Sequence, residues 1–124
     1  MNVVDSSGWL EYFADGPNAD FFAPPIKELE QLLIPTLSLY EVFRRVIQQR
    51  GESDALQAIA VMQQGKVIEL TSSLAVDSAR LALEKGLPIA DSIMLATARA
   101  YRATLWTQDT DFRDLEGVRF IEKD

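Results

Sequence analysis

The segment LWTQDTDF, Leu105 to Phe112, sets two carboxylates, Asp109 and Asp111, directly behind a short apolar run. Carboxylates repel one another and are costly to desolvate beside a buried strand. Either they sit in a solvated turn, or something cationic holds them together. Two absences narrow what else the chain can do. It has no cysteine, which removes thiolate nucleophiles, disulfides and Cys-based zinc sites. It has no histidine, which removes imidazole bases, Ser-His-Asp catalysis and nearly all zinc sites. Acid–base chemistry is left to carboxylates, hydroxyls, lysines or metal-bound water.

Three more acids stand where chemistry could use them. Asp5 closes a short strand that begins at Asn2; Glu41 opens a helix that follows a second strand. Asp91 lies in the first turn of the helix that feeds the strand before Asp109. Each has an ordinary alternative. Asp5 could cap the first helix. Ser38-Leu39-Tyr40-Glu41 fits the S/T-x-x-E capping box, which taken alone accounts better for Glu41. Asp91 suits a helix N-terminus whatever its function, and Asp111 could cap a turn.

The elements that must position these acids follow from periodicity and breakers. Ser6 or Ser7 can cap a helix carrying Trp9, Leu10, Tyr12 and Phe13. Gly16-Pro17-Asn18 breaks it, and residues 18–23 form a helical turn expected to stop at Pro24-Pro25. IKELEQ reads as helical and LLIPTL, Leu32 to Leu37, as a buried strand. Leu39, Val42, Phe43, Val46 and Ile47 fall on one helical face, ended by Gly51. A helix over 52–64, the strand KVIEL, and a helix capped by Ser73 and closed by Gly86 come next. Pro88 opens a helix over 89–101 that is apolar around most of its circumference and so belongs in the core. ATLWT and VRFIE complete the strands.

Strands separated by helices predict a three-layer α/β/α sandwich with a short, mostly parallel central sheet, formed as a single domain over residues 1–124. In such a sheet the carboxyl ends of the strands share one edge, where open α/β sheets bind ligands. Asp5, Glu41, Asp91 and Asp109 are therefore expected to converge. Two unit charges about 4 Å apart repel by roughly 4 kcal/mol at an effective dielectric of about 20, so the convergence calls for a cation. An all-oxygen donor set suits Mg²⁺ or Mn²⁺, and such an ion can activate water at a phosphodiester.

The net charge is −7, from 19 acids against 12 bases, which argues against a broad basic surface for nucleic acid but leaves room for a local basic rim. Arg44 and Arg45, one turn beyond Glu41, are the candidates for phosphate contact; an i, i+4 pair between Glu41 and Arg45 explains them equally well. Trp9 and Tyr12 could stack on bases but are more ordinarily core or dimer residues. No apolar run is long enough to cross a bilayer, and no signal peptide opens the chain, so a cytoplasmic protein is expected.

The ordered set VVDSSGWLEYF, IPTLSLYEVFRR, LPIADSIMLATARAYRATLWTQDTDF and VRFI resembles PIN domains over essentially the whole chain, and more narrowly the VapC toxins of toxin–antitoxin pairs. The resemblance implies an acidic site of Asp5, Glu41, Asp91 and Asp109, with Asp111 as a fifth member, and with Ser6 and Thr107 as supporting hydroxyls. It implies Mg²⁺- or Mn²⁺-dependent endonucleolytic cleavage of RNA to a 5′-phosphate and a 3′-hydroxyl. It also implies a homodimer and a small cognate antitoxin that covers the cleft. Two other classes compete: a catalytically inactive PIN-like module acting through protein partners, and a phosphoacceptor receiver domain. The receiver fits poorly, since Asp5 is followed by Ser6-Ser7 and Lys123 comes too late.

Overall fold

The structure, a computed structural model, describes residues Met1–Asp124. Alternation in the short strands dictates its layers. In β1 (Asn2–Val4) the side chain of Val3 faces one way and that of Val4 the other. In β2 (Leu32–Pro35), Leu33 faces with Val3, while Leu32 and Ile34 face with Val4. Each face therefore needs its own cover. The Val4 side is roofed by α1 (Ser6–Phe13), α2 (Ala19–Lys27), α3 (Thr36–Arg50) and α4 (Glu52–Met62), through Trp9, Phe22, Ile26, Val42, Val46, Ala55 and Met62. The Val3 side is roofed by α5 (Ser72–Lys85) and α6 (Ile89–Ala100), through Leu74, Met94, Leu95 and Ala98.

With β3 (Lys66–Ile68), β4 (Thr104–Thr107) and β5 (Val118–Phe120), the sheet has the order β3-β2-β1-β4-β5, and every pairing is parallel. The α/β/α sandwich is as expected, with the sheet wholly parallel. Register aligns Val3 with Leu33 and with Leu105, so β1, β2 and β4 end within one residue of one another. The chain leaves β1 toward β2 and β3 and later returns to its other flank with β4. That reversal opens a crevice at the carboxyl ends of β1 and β4. Helix α6 buries Ser92 and every residue from Met94 to Ala98, in keeping with its nearly all-round apolar sequence. No helix is long and apolar enough to cross a membrane.

Several local expectations are corrected. Pro24 and Pro25 do not stop α2, which runs through both to Lys27. Each proline forgoes one helical hydrogen bond, but Phe22, Pro25 and Ile26 are buried there and packing offsets the loss. IKELEQ is not one helix: Ile26 and Lys27 finish α2, and Leu29–Gln31 forms a single 3-10 turn. Strand β2 ends at Pro35, not Leu37, because α3 already begins at Thr36. That early start dissolves the capping box. Ser38 lies inside the first turn of α3, fully buried, with its hydroxyl 3.5 Å from Met94 Sδ. Asp5, not Ser6 or Ser7, caps α1, and Thr71, not Ser73, caps α5 by accepting the Leu74 N–H at 3.2 Å. The ends of α4 and α6 fall within two residues of expectation, as helix ends commonly do.

Candidate metal centre and nucleic-acid cleft

Asp5 leaves β1 and turns immediately into α1, so its carboxylate is held by the turn itself. Oδ1 accepts the Ser6 N–H at 2.8 Å. Oδ2 accepts the Ser7 hydroxyl at 3.1 Å and the Thr107 hydroxyl at 2.9 Å. The net effect raises this carboxyl to about 6: burial pushes it up, the donors from Thr107, Ser7 and Ser6 oppose that, and the charge of Asp109 adds a smaller upward push.

Asp109 follows β4 by two residues. Its N–H donates to Thr107 Oγ1 at 2.9 Å, and its Oδ1 accepts the Asp111 N–H at 2.9 Å, capping the 3-10 turn Thr110–Phe112. Thus Asp109, not Asp111, is the cap. Phe112 is fully buried and anchors that turn in the core. Asp91 arrives from the first turn of α6. Carboxylate oxygens of Asp91, Asp109 and Asp111 all lie within 4.8 Å of one another. Burial, a hydrogen bond with Asp111 and the charges of Asp109, Asp5 and Asp111 push Asp91 up to about 8.

Glu41, on α3, faces the same opening and accepts the Ser6 hydroxyl at 2.6 Å. Asp5, Ser6, Glu41, Asp91 and Asp109 line one open cleft of about 310 Å³, with Arg44, Arg45 and Tyr40 on the α3 side. Asp111, exposed, stands at its margin beside Asp91 and Asp109. The ion pairs of the chain are Arg80–Asp77, Lys85–Glu84 and Arg113–Glu122. No lysine or arginine neutralises the cleft acids, and Glu41 and Arg45 do not pair. A second cavity of similar size, between α1, α3 and α4, is lined mainly by apolar side chains and holds a single acid, Asp54.

All the acids singled out in the sequence therefore reach one region: Asp91, Asp109 and Asp111 as a tight triad, Asp5 and Glu41 along the adjoining wall. Ser6 and Thr107 both hydrogen-bond to those acids. Trp9 is fully buried and stacks on Phe13, so it does not present a face to bases. Elsewhere on the surface, Arg113 is paired with Glu122 and lies over Phe120, and Arg99 donates to the Glu116 carbonyl. Sequence reasoning missed Ser7 as a donor to Asp5, and it missed Tyr40, Asn18 and Gln108 altogether. No sequence pattern marks a polar residue that becomes buried through a partner about ninety positions away.

The donors are all oxygens, close together, negatively charged and uncompensated by protein cations. That set fits a hard divalent cation, which would offset the mutual repulsion of these carboxylates.

The family model described as PIN domain matches residues 3–118. A chain of a toxin–antitoxin complex from Klebsiella pneumoniae superposes with a TM-score of 0.79 at 25% identity, covering 96% of each chain. A Pyrobaculum aerophilum protein superposes with a TM-score of 0.73 at 24% identity, over 97% of this chain and 90% of that one. The Mycobacterium tuberculosis toxin VapC20, described as cleaving the sarcin-ricin loop, superposes with a TM-score of 0.73 at 17% identity, over 90% and 92% of the two chains. No match was found among curated protein sequences.

Proposed function

The chain belongs to the PIN domain family, and from that premise we propose that it is a metal-dependent endoribonuclease, the VapC-type toxin of a toxin–antitoxin pair. The observation that carries this reading is the meeting of Asp91, Asp109 and Asp111 oxygens within 4.8 Å, with Asp5 and Glu41 in the same cleft. The toxin–antitoxin complex among its structural relatives supports an antitoxin as partner; a homodimer is the assembly expected from the sequence resemblance.

Asp91, Asp109, Asp111, Asp5 and Glu41 would hold Mg²⁺ or Mn²⁺. When bound, the ion supplies Lewis acidity and a water of lowered pKa for attack on a phosphodiester. The chain's own residues prepare that chemistry. Thr107 and Ser7 fix the Asp5 carboxylate by hydrogen bonds, so no reorganisation is needed when charge develops. Ser6, next to Asp5, holds the Glu41 carboxylate along the same wall of the cleft. Arg44 and Arg45, free of ion pairs, supply positive charge where an RNA phosphate would enter an otherwise acidic cleft.

The test is cleavage of structured RNA by antitoxin-free protein with Mn²⁺, beside Asp91→Asn and Asp109→Asn. Activity in the parent and its loss by about a hundredfold or more in both variants supports the assignment, a size typical of removing one positioned acid–base or ligand group. A folded parent that binds no ion and cuts no RNA would instead fit an inactive PIN-like binding module.

A further inference from the structure

Behind the acids lies a buried polar junction that the proposed chemistry does not use. Gln108 sits between Thr107, which holds Asp5, and Asp109 itself, yet its side chain points away from the cleft into the protein. It is almost fully buried, as is Asn18 in the turn between α1 and α2. Asn18 Nδ2 donates to Gln108 Oε1 at 3.0 Å and to the Glu122 carbonyl at 3.0 Å, so both of its hydrogens are used. Gln108 Nε2 donates in turn to the Ser7 carbonyl at 3.4 Å. The Asn18 N–H donates to Glu11 Oε2 at 2.7 Å, which fixes the turn to α1. Four segments meet there: the start of α1, the turn between α1 and α2, the loop after β4 and the C-terminal tail.

We infer that the Asn18–Gln108 pair is a positioning device that sets the separation of the Asp5-bearing and Asp109-bearing segments, and through it the fit of the acid cluster to a divalent ion. The inference rests on the function proposed above. A purely apolar filling of this space would pack as well and avoid burying two amides. What the amides add is direction. Gln108 joins the backbone carbonyl of Ser7, two residues past Asp5, to the residue just before Asp109. Backbone bonds continue the same brace, since the Asp5 N–H donates to the Trp106 carbonyl at 2.9 Å and the Ile121 N–H to the Thr107 carbonyl at 3.1 Å. Residues that orient metal ligands commonly change ion affinity by about ten- to a hundredfold when removed.

The experiment measures Mn²⁺ affinity by electron paramagnetic resonance on the full chain, well below each variant's melting point. It compares the parent, Gln108→Leu, Asn18→Ala, and the exchange double variant N18Q/Q108N, which keeps the total side-chain length of the pair. The expected result is a loss of affinity of about tenfold in Gln108→Leu, a smaller loss in Asn18→Ala, and recovery to within about threefold of the parent in the exchange. In ion-free protein, hydrogen exchange at the Asp109 and Asp111 amides should quicken in Gln108→Leu while α4 stays protected. If Gln108→Leu does not fold, Asn18→Ala, which spares the Gln108–Ser7 bond, carries the same comparison. A lowered melting point with unchanged Mn²⁺ affinity overturns the inference and leaves the proposed function standing. A parent that binds no Mn²⁺ overturns both.

Discussion

Thr107 is bound to Asp5 across the β1–β4 junction: its hydroxyl donates to Asp5 Oδ2 at 2.9 Å, and Thr107 Oγ1 itself accepts the Asp109 N–H at 2.9 Å. One fully buried hydroxyl thus ties together two acids separated by more than a hundred positions. Thr107→Val keeps the shape and removes both bonds. The Asp109 N–H is left without its acceptor and Asp5 loses one of its three donors, so a stability loss of about 1–3 kcal/mol is expected. The Asp5 carboxyl should also titrate higher than in the parent, because a hydrogen bond that favours its charged form is gone. Urea unfolding and carboxyl carbon shifts in NMR check the two outcomes.

Stability of the ion-free protein should depend on pH with a definite sign. Asp91 is pushed up to about 8 and Asp5 to about 6, both above the 3.8 of an ordinary aspartate. The folded state therefore holds protons that the unfolded chain has already lost. Stability is greatest below about pH 4 as far as these two groups are concerned, and falls as pH rises through about 6 and 8. Asp91→Asn should flatten that decline and raise the melting point of ion-free protein near pH 8. Mn²⁺ at millimolar concentration should flatten it in the parent. Melting curves from pH 5 to 9, with chelator and with Mn²⁺, supply the measurement.

Arg44 and Arg45 line the cleft without ion-pair partners. Replacing either with alanine should leave stability within about 0.5 kcal/mol of the parent. Each residue that meets a phosphate should, when removed, raise KM for RNA with little change in kcat. It should also lower the slope of log affinity against log salt by about one. Binding of RNA to Asp91→Asn protein across a salt series isolates the effect from cleavage.

Gly8 lets α1 approach its neighbours. A Cβ there would come within 2.6 Å of the Phe22 ring and 2.8 Å of Val4 Cγ1, and both side chains are fully buried with nowhere to move. Gly8→Ala should therefore destabilise by about 1–3 kcal/mol through overpacking, against the gain of up to about 1 kcal/mol that alanine brings to an ordinary helix position. Because α1 carries Ser6 and Ser7, the same change should weaken Mn²⁺ binding.

Much of this fold is legible in the sequence because its signals are periodic or local. Valine pairs and leucine runs mark β1 and β2, the Leu39–Ile47 face marks α3, and Gly51 and Gly86 mark helix ends. Given strands alternating with helices, the meeting of Asp5, Glu41, Asp91 and Asp109 follows from the parallel sheet alone. What failed was decided by tertiary packing. Pro24 and Pro25 stay helical because Phe22 and Ile26 are buried around them. The apparent capping box at Ser38 was displaced because α3 starts at Thr36, three residues earlier than that cap implies, and draws Ser38 into the core. The Asn18–Gln108 bond spans 90 positions and leaves no local trace.

The central claim is that Asp91, Asp109 and Asp111, with Asp5 and Glu41 beside them, hold a divalent ion. Crystals grown or soaked with millimolar Mn²⁺, measured where manganese scatters anomalously, test it directly. A strong anomalous peak among the oxygens of Asp91, Asp109 and Asp111, absent from Asp91→Asn crystals, is the predicted result. A map with no peak in that cleft, at an ion concentration that saturates ordinary oxygen-donor sites, would contradict it.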